Sequence, residues 1–160
     1  MHHDRDFAAY MVARWPALVR TLVLLGCGQP HAEEVVQRSL SRCYLDWRRV
    51  RESDDIDVRV YRSVLDTLAR DSRDRADMTD TADDDPEPDR TDAELVRDAL
   101  LEALDGLDDQ HRRVVVLRFA AGLDERQLGD LLELPVDVVE VALADALERL
   151  DLPAVWGASR

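Results

Sequence analysis

Apolar side chains recur every three or four positions near the start of the chain. The repeat consists of Phe7, Met11, Trp15, Leu18, Leu22 and Leu25. This spacing is the period of an α-helix that buries one face. Because proline lacks a backbone N–H, Pro16 predicts either a kink in this helix or the start of a second helix.

Two further helices are predicted in the first half of the chain. A break that contains glycine and proline, residues 26–30, ends the first apolar stripe. The second helix carries Val36, Leu40, Cys43 and Trp47, and the third carries Tyr61, Val64, Leu65 and Leu68. The opposite side of the third helix bears the densest basic run in the sequence, which consists of Arg59, Arg62, Arg70, Arg73 and Arg75.

The second half of the chain has the pattern of a helix-turn-helix unit. It opens with a helical stripe made of Leu95, Ala99, Ala103 and Leu107. The apolar run at residues 114–117 fits a strand as well as a helix. A helix is predicted from Asp124 to Leu132, where Asp124 and Gln127 have capping-box spacing. A second runs from Val136 to Leu150, and the short connection between the two predicts a helix-turn-helix.

Composition supports an all-α fold of two small helical domains. Gly and Pro occur only six times each in 160 residues, too few for the turns of an all-β chain. Residues 76–92 hold eight acidic residues, one Arg and two Pro without hydrophobic periodicity, which predicts an acidic flexible linker. We therefore expect domains at residues 1–75 and 93–152, followed by a tail at 153–160.

Charge limits how the protein can bind nucleic acid. The net charge is −14, whereas binding through bulk electrostatics requires an excess of Lys and Arg. Residues 1–75 are nearly balanced, with 13 Arg against 12 acidic residues, and residues 124–151 carry nine acidic residues against two Arg. Any contact with DNA must therefore be local.

Several classes of function find no support in the sequence. Cys27 and Cys43 lack metal-ligand spacing, and the four histidines form no cluster with them. We expect no metal, no cofactor and no catalytic residue, because neither a phosphate-binding loop nor a nucleophile-base pair is present. Without a long apolar segment or a leader-like start, we expect a cytoplasmic protein with no membrane insertion.

Four segments resemble the extracytoplasmic-function sigma factors. Residues 32–37, Ala-Glu-Glu-Val-Val-Gln, and 44–49, Tyr-Leu-Asp-Trp-Arg-Arg, are similar to the helix that docks on RNA polymerase in that family. Residues 14–20, Arg-Trp-Pro-Ala-Leu-Val-Arg, resemble the opening helix of a subgroup common in GC-rich bacteria. Residues 107–119 resemble the helix before the promoter-reading pair. The family joins a promoter-melting domain two to a helix-turn-helix domain four through a variable linker.

The resemblance implies two groups of functional residues in the first domain. Polymerase binding falls to Glu33, Glu34, Gln37, Arg38 and Trp47. Contact with the −10 strand falls to Arg59, Tyr61, Arg62, Arg70, Arg73 and Arg75, with Trp47 and Tyr61 as stacking platforms for a base. A second interpretation stays open, in which both aromatic residues are core and these arginines pair with Asp57, Asp66, Asp71 and Asp74.

The helix-turn-helix departs from the family pattern where DNA would be read. Glu133, Leu134 and Pro135 occupy the turn, where the family usually places Gly, a small residue and Ser or Thr. The outer face of the last helix offers Asp137, Val138, Glu140, Val141 and Asp145, whereas groove readers use Arg, Lys, Asn or Gln. We expect no conventional −35 binding. This face is either solvated, docked on a basic protein surface, or reading DNA in an unusual register.

Two functional hypotheses remain. The first is a sigma factor of extracytoplasmic-function type that directs promoter recognition and transcription initiation, with core RNA polymerase, promoter DNA and an anti-sigma factor as expected partners. The second is a degenerate sigma-like decoy or adaptor that binds polymerase or an anti-sigma protein without recognising a promoter. Two short modules joined by an acidic linker are also compatible with an inactive state in which one module is folded over onto the other until the protein is needed.

Overall fold

The computed structural model describes residues 2–76 and 91–150, and over these ranges every regular element is an α-helix. The helices are α1 (His2–Leu24), α2 (Gln29–Leu45), α3 (Trp47–Arg51), α4 (Ile56–Ala76), α5 (Asp92–Asp105), α6 (Asp109–Phe119), α7 (Glu125–Leu132) and α8 (Val136–Arg149). The predicted all-α class is confirmed. Most of the predicted linker and the whole tail lie outside the described ranges, so the domain boundaries stay a prediction.

The first helix is continuous through Pro16 rather than split by it. Pro16 removes the hydrogen bond to the carbonyl of Val12, and both residues are exposed, so water can solvate that carbonyl. By length and mean hydropathy α1 could cross a membrane, yet Leu18 and Leu22 are fully buried in the protein core. Gly26, at φ 104°, closes the helix with bonds from Gly26 N to Val23 O and Cys27 N to Leu22 O.

The prediction that Trp47 lies on the second helix is wrong. The helix α2 ends at Leu45, the backbone turns at Asp46 with φ −120°, and Trp47 begins the short helix α3. Trp47 is nevertheless 2% exposed because it packs on α1, with ring centroids 5.2 Å from Phe7 and 5.3 Å from Tyr10. The apolar spacing thus identified a core residue correctly but assigned it to the wrong helix.

Helices α2 and α4 pack closely and share a buried polar contact. The hydroxyl oxygens of Ser39 and Thr67 lie 3.0 Å apart, and each also lies within hydrogen-bond distance of the carbonyl oxygen one turn earlier in its own helix, on Val35 and Ser63 respectively. Each hydroxyl has one hydrogen to donate, so two of these three contacts are hydrogen bonds at any one time. Since both side chains are buried, these bonds satisfy groups that would otherwise be costly to remove from water. Small polar residues thereby allow the two helices to approach.

The ambiguous apolar run at residues 114–117 is helical and is buried on all sides. Within α6, Val114 and Leu117 join the core that contains α1, α2 and α4. Val115 and Val116 join a second cluster with residues of α5 and α8. Four consecutive buried residues therefore reflect a helix enclosed by neighbours on both sides, which is why no amphipathic period was visible in the sequence.

The two predicted modules pack against each other. Helix α7 lies on α4, and α6 lies on α1. One hydrophobic cluster contains Leu22 and Val64 from the first module together with Leu128 and Val139 from the second. The described residues thus form a folded-over arrangement in which the helix-turn-helix is docked on the first module.

Candidate nucleic-acid and protein interfaces

The basic run on α4 borders an open groove of about 520 Å³ where α2, α3 and α4 meet. The groove is lined by Arg42, Cys43, Asp46, Val50, Arg59, Arg62, Ser63, Asp66 and Arg70. We call it the arginine groove. Arg59, Arg62, Asp66 and Arg70 share one face of α4 because they follow at helical spacings of three and four. The sequence pattern of this helix therefore becomes one wall of a cationic surface.

The guanidinium groups of the arginine groove are only partly compensated. Asp46 and Asp66 also line the groove, which leaves four cationic against two anionic side chains. Among the described residues, neither Arg59 nor Arg70 forms an ion pair with a carboxylate. Exposed guanidinium groups of this kind bind phosphate oxygens well, because they present several donors in a planar fork.

The structure separates the residues that the sequence grouped as −10 contacts. Arg59, Arg62 and Arg70 line the arginine groove, whereas Arg73 and Arg75 lie beyond it in the last turn of α4. Tyr61 is 3% exposed, and burial raises the pKa of its hydroxyl. Of the two interpretations left open above, the structure favours the one that places Tyr61 and Trp47 in the core.

The other half of that interpretation paired the arginines of α4 with nearby aspartates, and the described residues contain no ion pair of that kind within α4. Asp57 pairs with Arg14 of α1 at 3.0 Å, and Asp71 accepts a two-pronged bond from Arg38 of α2. Both carboxylates therefore tie α4 to neighbouring helices. The hydrogen bonds from Arg38 hold the pKa of Asp71 below its usual value.

Arg42 is a groove residue that sequence reasoning missed. It lies on α2, and one guanidinium nitrogen is 3.4 Å from Thr67 Oγ1 of α4. The available signal was its position next to Cys43 in the apolar stripe of α2, which places it at the edge of the face that packs on α4. Without knowing that α4 is the neighbour, however, the contact was not predictable.

The predicted polymerase-binding residues on α2 are exposed, whereas Trp47 at the start of α3 is buried. Glu33, Glu34, Gln37 and Arg38 all lie on the solvent side of α2. The amide of Gln29 donates to Glu33 at 2.9 Å, which supports the first turn of the helix. Trp47 is buried and cannot contact a docked protein in this arrangement.

An apolar groove of about 550 Å³ adjoins this α2 surface, between α1 and α2. It is lined by Phe7, Met11, Trp15, Gln37, Leu40, Ser41, Arg42, Tyr44 and Leu45. Leu45 is 86% exposed, and its position in α2 lies outside the apolar stripe that the helix buries. The sequence alone could have indicated this surface, since a large apolar residue at a solvent-facing helical position often marks a binding surface.

The helix-turn-helix forms as predicted, with a strained turn. Asp124 and Gln127 form the expected capping box, with bonds of 2.8 and 2.9 Å. Glu133 adopts a left-handed conformation at φ 57°, which L-residues rarely do. A Cβ atom on Gly129 would lie 2.8 Å from the carbonyl oxygen of Leu134. The tight turn thus requires glycine at 129 and tolerates Glu133 only with strain.

The outer face of α8 is acidic and apolar. Asp137, Val138, Glu140 and Val141 are exposed, and Asp145 is partly exposed. A groove of about 460 Å³ runs between this face and the start of α6. The Asp145 carboxylate lies 3.0 Å from His111 Nε2, and the Asp108 carboxylate lies 2.5 Å from His111 Nδ1. The five residues predicted for this face therefore share one surface.

Hydrogen bonds join the two modules, and one of them is donated by an arginine of the arginine groove. Arg62 donates to the carbonyl oxygen of Asp130 in α7 at 2.7 Å. Gln127 donates to Asp55 at 2.7 Å, and Arg112 donates to the carbonyl of Leu24 at the end of α1 at 2.9 Å. One groove arginine is therefore occupied by the second module in the folded-over arrangement.

Comparisons with known proteins identify the fold. No protein-family model matches the sequence, and no curated protein matches it significantly. Among solved structures, the sigma factor RpoE in complex with the anti-sigma factor NepR from Bartonella quintana superposes with a TM-score of 0.75 at 16% identity, covering 98% of this chain and 99% of that one. CnrH in complex with the cytosolic domain of CnrY gives a TM-score of 0.68 at 21% identity, covering 98% and 91%.

Proposed function

We propose that this chain, which has the fold of the extracytoplasmic-function sigma factors, directs core RNA polymerase to promoters and initiates transcription. The observation that carries the proposal is the arginine groove on the first module. In a chain with a net charge of −14, four guanidinium groups converge on one open surface. That is the local cationic site which DNA contact by an acidic protein requires.

In this function the arginine groove binds the backbone of the melted −10 strand. Positively charged grooves of this kind hold single strands through their phosphates. The aromatic residues expected to stack on bases are buried, so phosphate contacts by Arg59, Arg62 and Arg70 supply the binding. Arg42, which also lines the groove, is the fourth expected phosphate contact. Arg73 and Arg75 lie beyond the groove and are no longer expected to contact the strand.

Polymerase docks on the exposed side of α2 and the adjoining apolar groove. Gln37 belongs to both surfaces, and Leu45 offers a large exposed apolar side chain. Exposed leucine beside polar residues is typical of a protein interface with an apolar centre and a polar rim. Glu33, Glu34 and Arg38 form that rim.

The folded-over arrangement is the resting state of this sigma factor. Arg62 is bonded to Asp130 of α7, so the second module must move before every groove arginine is free for DNA. RpoE and CnrH were both solved with protein partners, an anti-sigma factor and the cytosolic domain of CnrY respectively. We propose an anti-sigma partner for this chain as well, a cytoplasmic location, and no catalytic activity of its own.

The test is transcription by core RNA polymerase with this protein on fragmented genomic DNA, with recovery of bound polymerase in parallel. We expect transcripts that share an upstream sequence motif. The double variant Arg59→Gln with Arg70→Gln should lower transcript yield at least about tenfold, because two phosphate contacts are lost, while polymerase binding is retained. Arg5→Gln with Arg97→Gln removes the same charge outside the groove and should leave transcription unchanged.

Two results would contradict the proposal. Polymerase that is bound but yields no motif-linked transcripts would indicate the sigma-like decoy or adaptor. Equal loss of transcription in both double variants would show that net charge matters and the arginine groove does not.

A further inference from the structure

The outer face of α8 combines features that neither DNA binding nor simple solvation explains. Val138 and Val141 are both exposed there, and Val141 is 70% accessible. Large exposed apolar side chains that lie side by side on a structured surface commonly mark a binding site. Along the same helix, four carboxylates stand against the single cation of Arg149.

The single cation of α8 is already neutralised within the module. The Arg149 guanidinium lies 3.3 Å from Asp145 and 3.7 Å from Asp108. Asp137 and Glu140 remain exposed beside the two valines. Phosphate groups would meet uncompensated negative charge on this face, whereas a cationic partner would be attracted.

The face is also shaped to receive a helix. Val138, Val141, Ala142 and Asp145 line the groove of about 460 Å³ beside the start of α6. They follow at positions i, i+3, i+4 and i+7, the spacing by which one helix packs along another. His111 bridges Asp108 and Asp145 across the groove, which fixes the separation of its two walls before any partner arrives.

We propose that the outer face of α8 is a docking surface for a cationic amphipathic helix of a partner protein. The apolar stripe of that helix lies on Val138 and Val141, and its Arg or Lys side chains reach Asp137 and Glu140. Burial of the valines supplies affinity, while the carboxylates set the orientation and exclude acidic partners. This inference goes beyond the proposed function, because the surface requires neither polymerase nor promoter.

The experiment uses the full-length, ¹⁵N-labelled chain and a designed synthetic peptide of about 18 residues, long enough to form a helix on binding. The peptide carries Leu at positions i, i+3, i+4 and i+7 with Arg on both flanks. One control peptide has the same composition with the Leu positions scrambled, and another has Glu in place of Arg. Binding is measured by titration, and chemical-shift changes locate the site.

We expect saturable binding of the designed peptide with shifts concentrated on α8 and the start of α6. Val141→Gln should weaken binding about tenfold, since it removes most of one buried valine contact. Val12→Gln is the matched control, because Val12 is 74% exposed on α1, and should bind as the wild type does. Glu140→Gln should weaken binding and reduce its salt dependence, whereas Glu102→Gln on α5 should not.

Four outcomes would overturn the inference. Equal binding of the scrambled peptide would show that only net charge is sensed. Shifts spread over other helices, or unchanged affinity in Val141→Gln, would place the site elsewhere. Salt-sensitive binding of duplex DNA that shifts the α8 signals would show that the face reads nucleic acid. The peptide experiment contains no polymerase. A negative result would therefore contradict the docking surface on α8 without contradicting the proposed function in transcription.

Discussion

The side-chain amide of Gln127 donates a hydrogen bond of 2.7 Å to the carboxylate of Asp55 and thereby joins the caps of two helices in different modules. Asp55 accepts from the backbone N–H of Val58 at the start of α4. The amide oxygen of Gln127 accepts from the backbone N–H of Asp124 at the start of α7. A single contact therefore couples local helix capping to the folded-over arrangement.

Replacing Gln127 with Glu should loosen the contact between the modules. The carboxylate can still accept from Asp124 N, but it cannot donate to Asp55 and repels it. Loss of a hydrogen bond to a charged group costs about 1.5–3 kcal/mol. We expect faster hydrogen exchange of the amides of Leu128 and Leu131, which lie on the buried side of α7. The matched control, Gln110→Glu, adds the same charge on exposed α6 surface; equal effects of the two substitutions would refute the specific contact.

The arginine groove should also set the salt dependence of promoter opening. Each phosphate contact with a single strand contributes roughly 0.7 to the slope of log affinity against log salt. Arg59→Gln with Arg70→Gln should therefore reduce the slope by about 1.4, measured as open-complex formation by the polymerase holoenzyme over a range of salt concentrations. A slope equal to that of the wild type would exclude phosphate contact by these two residues.

Two substitutions in and near the turn between α7 and α8 should change the stability of the protein in opposite directions. Glu133→Gly relieves the left-handed strain and should stabilise the protein by about 0.5–1 kcal/mol. Gly129→Ala forces a methyl group against the rigid carbonyl of Leu134 and should destabilise it by about 1–3 kcal/mol. Gly106→Ala is the control, because its Cβ would lie at an ordinary 3.4 Å from the Ala103 carbonyl at a negative φ. The free energy of unfolding in urea measures all three, and a stable Gly129→Ala variant would contradict the geometry.

Asp71 should contribute stability that depends on pH. The hydrogen bonds from Arg38 lower its pKa in the folded protein, so the contribution is complete above the unfolded pKa of about 3.9 and is lost as the pH falls through the folded value. Asp71→Asn should destabilise the protein by no more than about 1 kcal/mol at pH 7, and the difference from the wild type should shrink below about pH 4.

Urea unfolding across this pH range measures the effect of Asp71. Asp74→Asn serves as the control, because Asp74 is exposed on the same helix and forms no ion pair within the described part of the chain. Arg38 and His31 are the groups that face Asp71 from α2. A difference between Asp71→Asn and the wild type that persists unchanged at acidic pH would contradict the role of the carboxylate.

Substitutions at Trp47 and Leu45 should affect different properties, the first the stability of the protein and the second its binding to polymerase. Trp47→Ala removes a fully enclosed indole and should destabilise the protein by about 3–5 kcal/mol. Leu45→Ala affects an exposed side chain and should change stability by less than about 0.5 kcal/mol, yet weaken binding to core polymerase. Thermal unfolding and polymerase pull-down distinguish the two effects, and normal polymerase binding by Leu45→Ala would remove the apolar groove from the docking surface.

The sequence by itself determined the helices and much of their ends. Apolar periodicity located the helices that run through Leu18, Leu40, Val64 and Val139, and the Asp124–Gln127 capping box was predicted and is confirmed. These features depend on interactions within about one or two helical turns, which the local sequence specifies. The acidic and apolar composition of the α8 outer face followed from the same periodicity.

Only the tertiary structure decided which of these helix faces become surfaces. Tyr61 and Trp47 are buried, and Arg42 joins Arg59 in a groove that Arg73 does not reach. Each outcome depends on which helix packs alongside, and those neighbours are separated in sequence by tens of residues. The docking of α7 on α4 is of the same kind, because apolar side chains such as Val64 and Leu128 are equally hydrophobic whichever partner covers them. Burial is non-directional, so the choice of partner emerges only when the whole chain has packed.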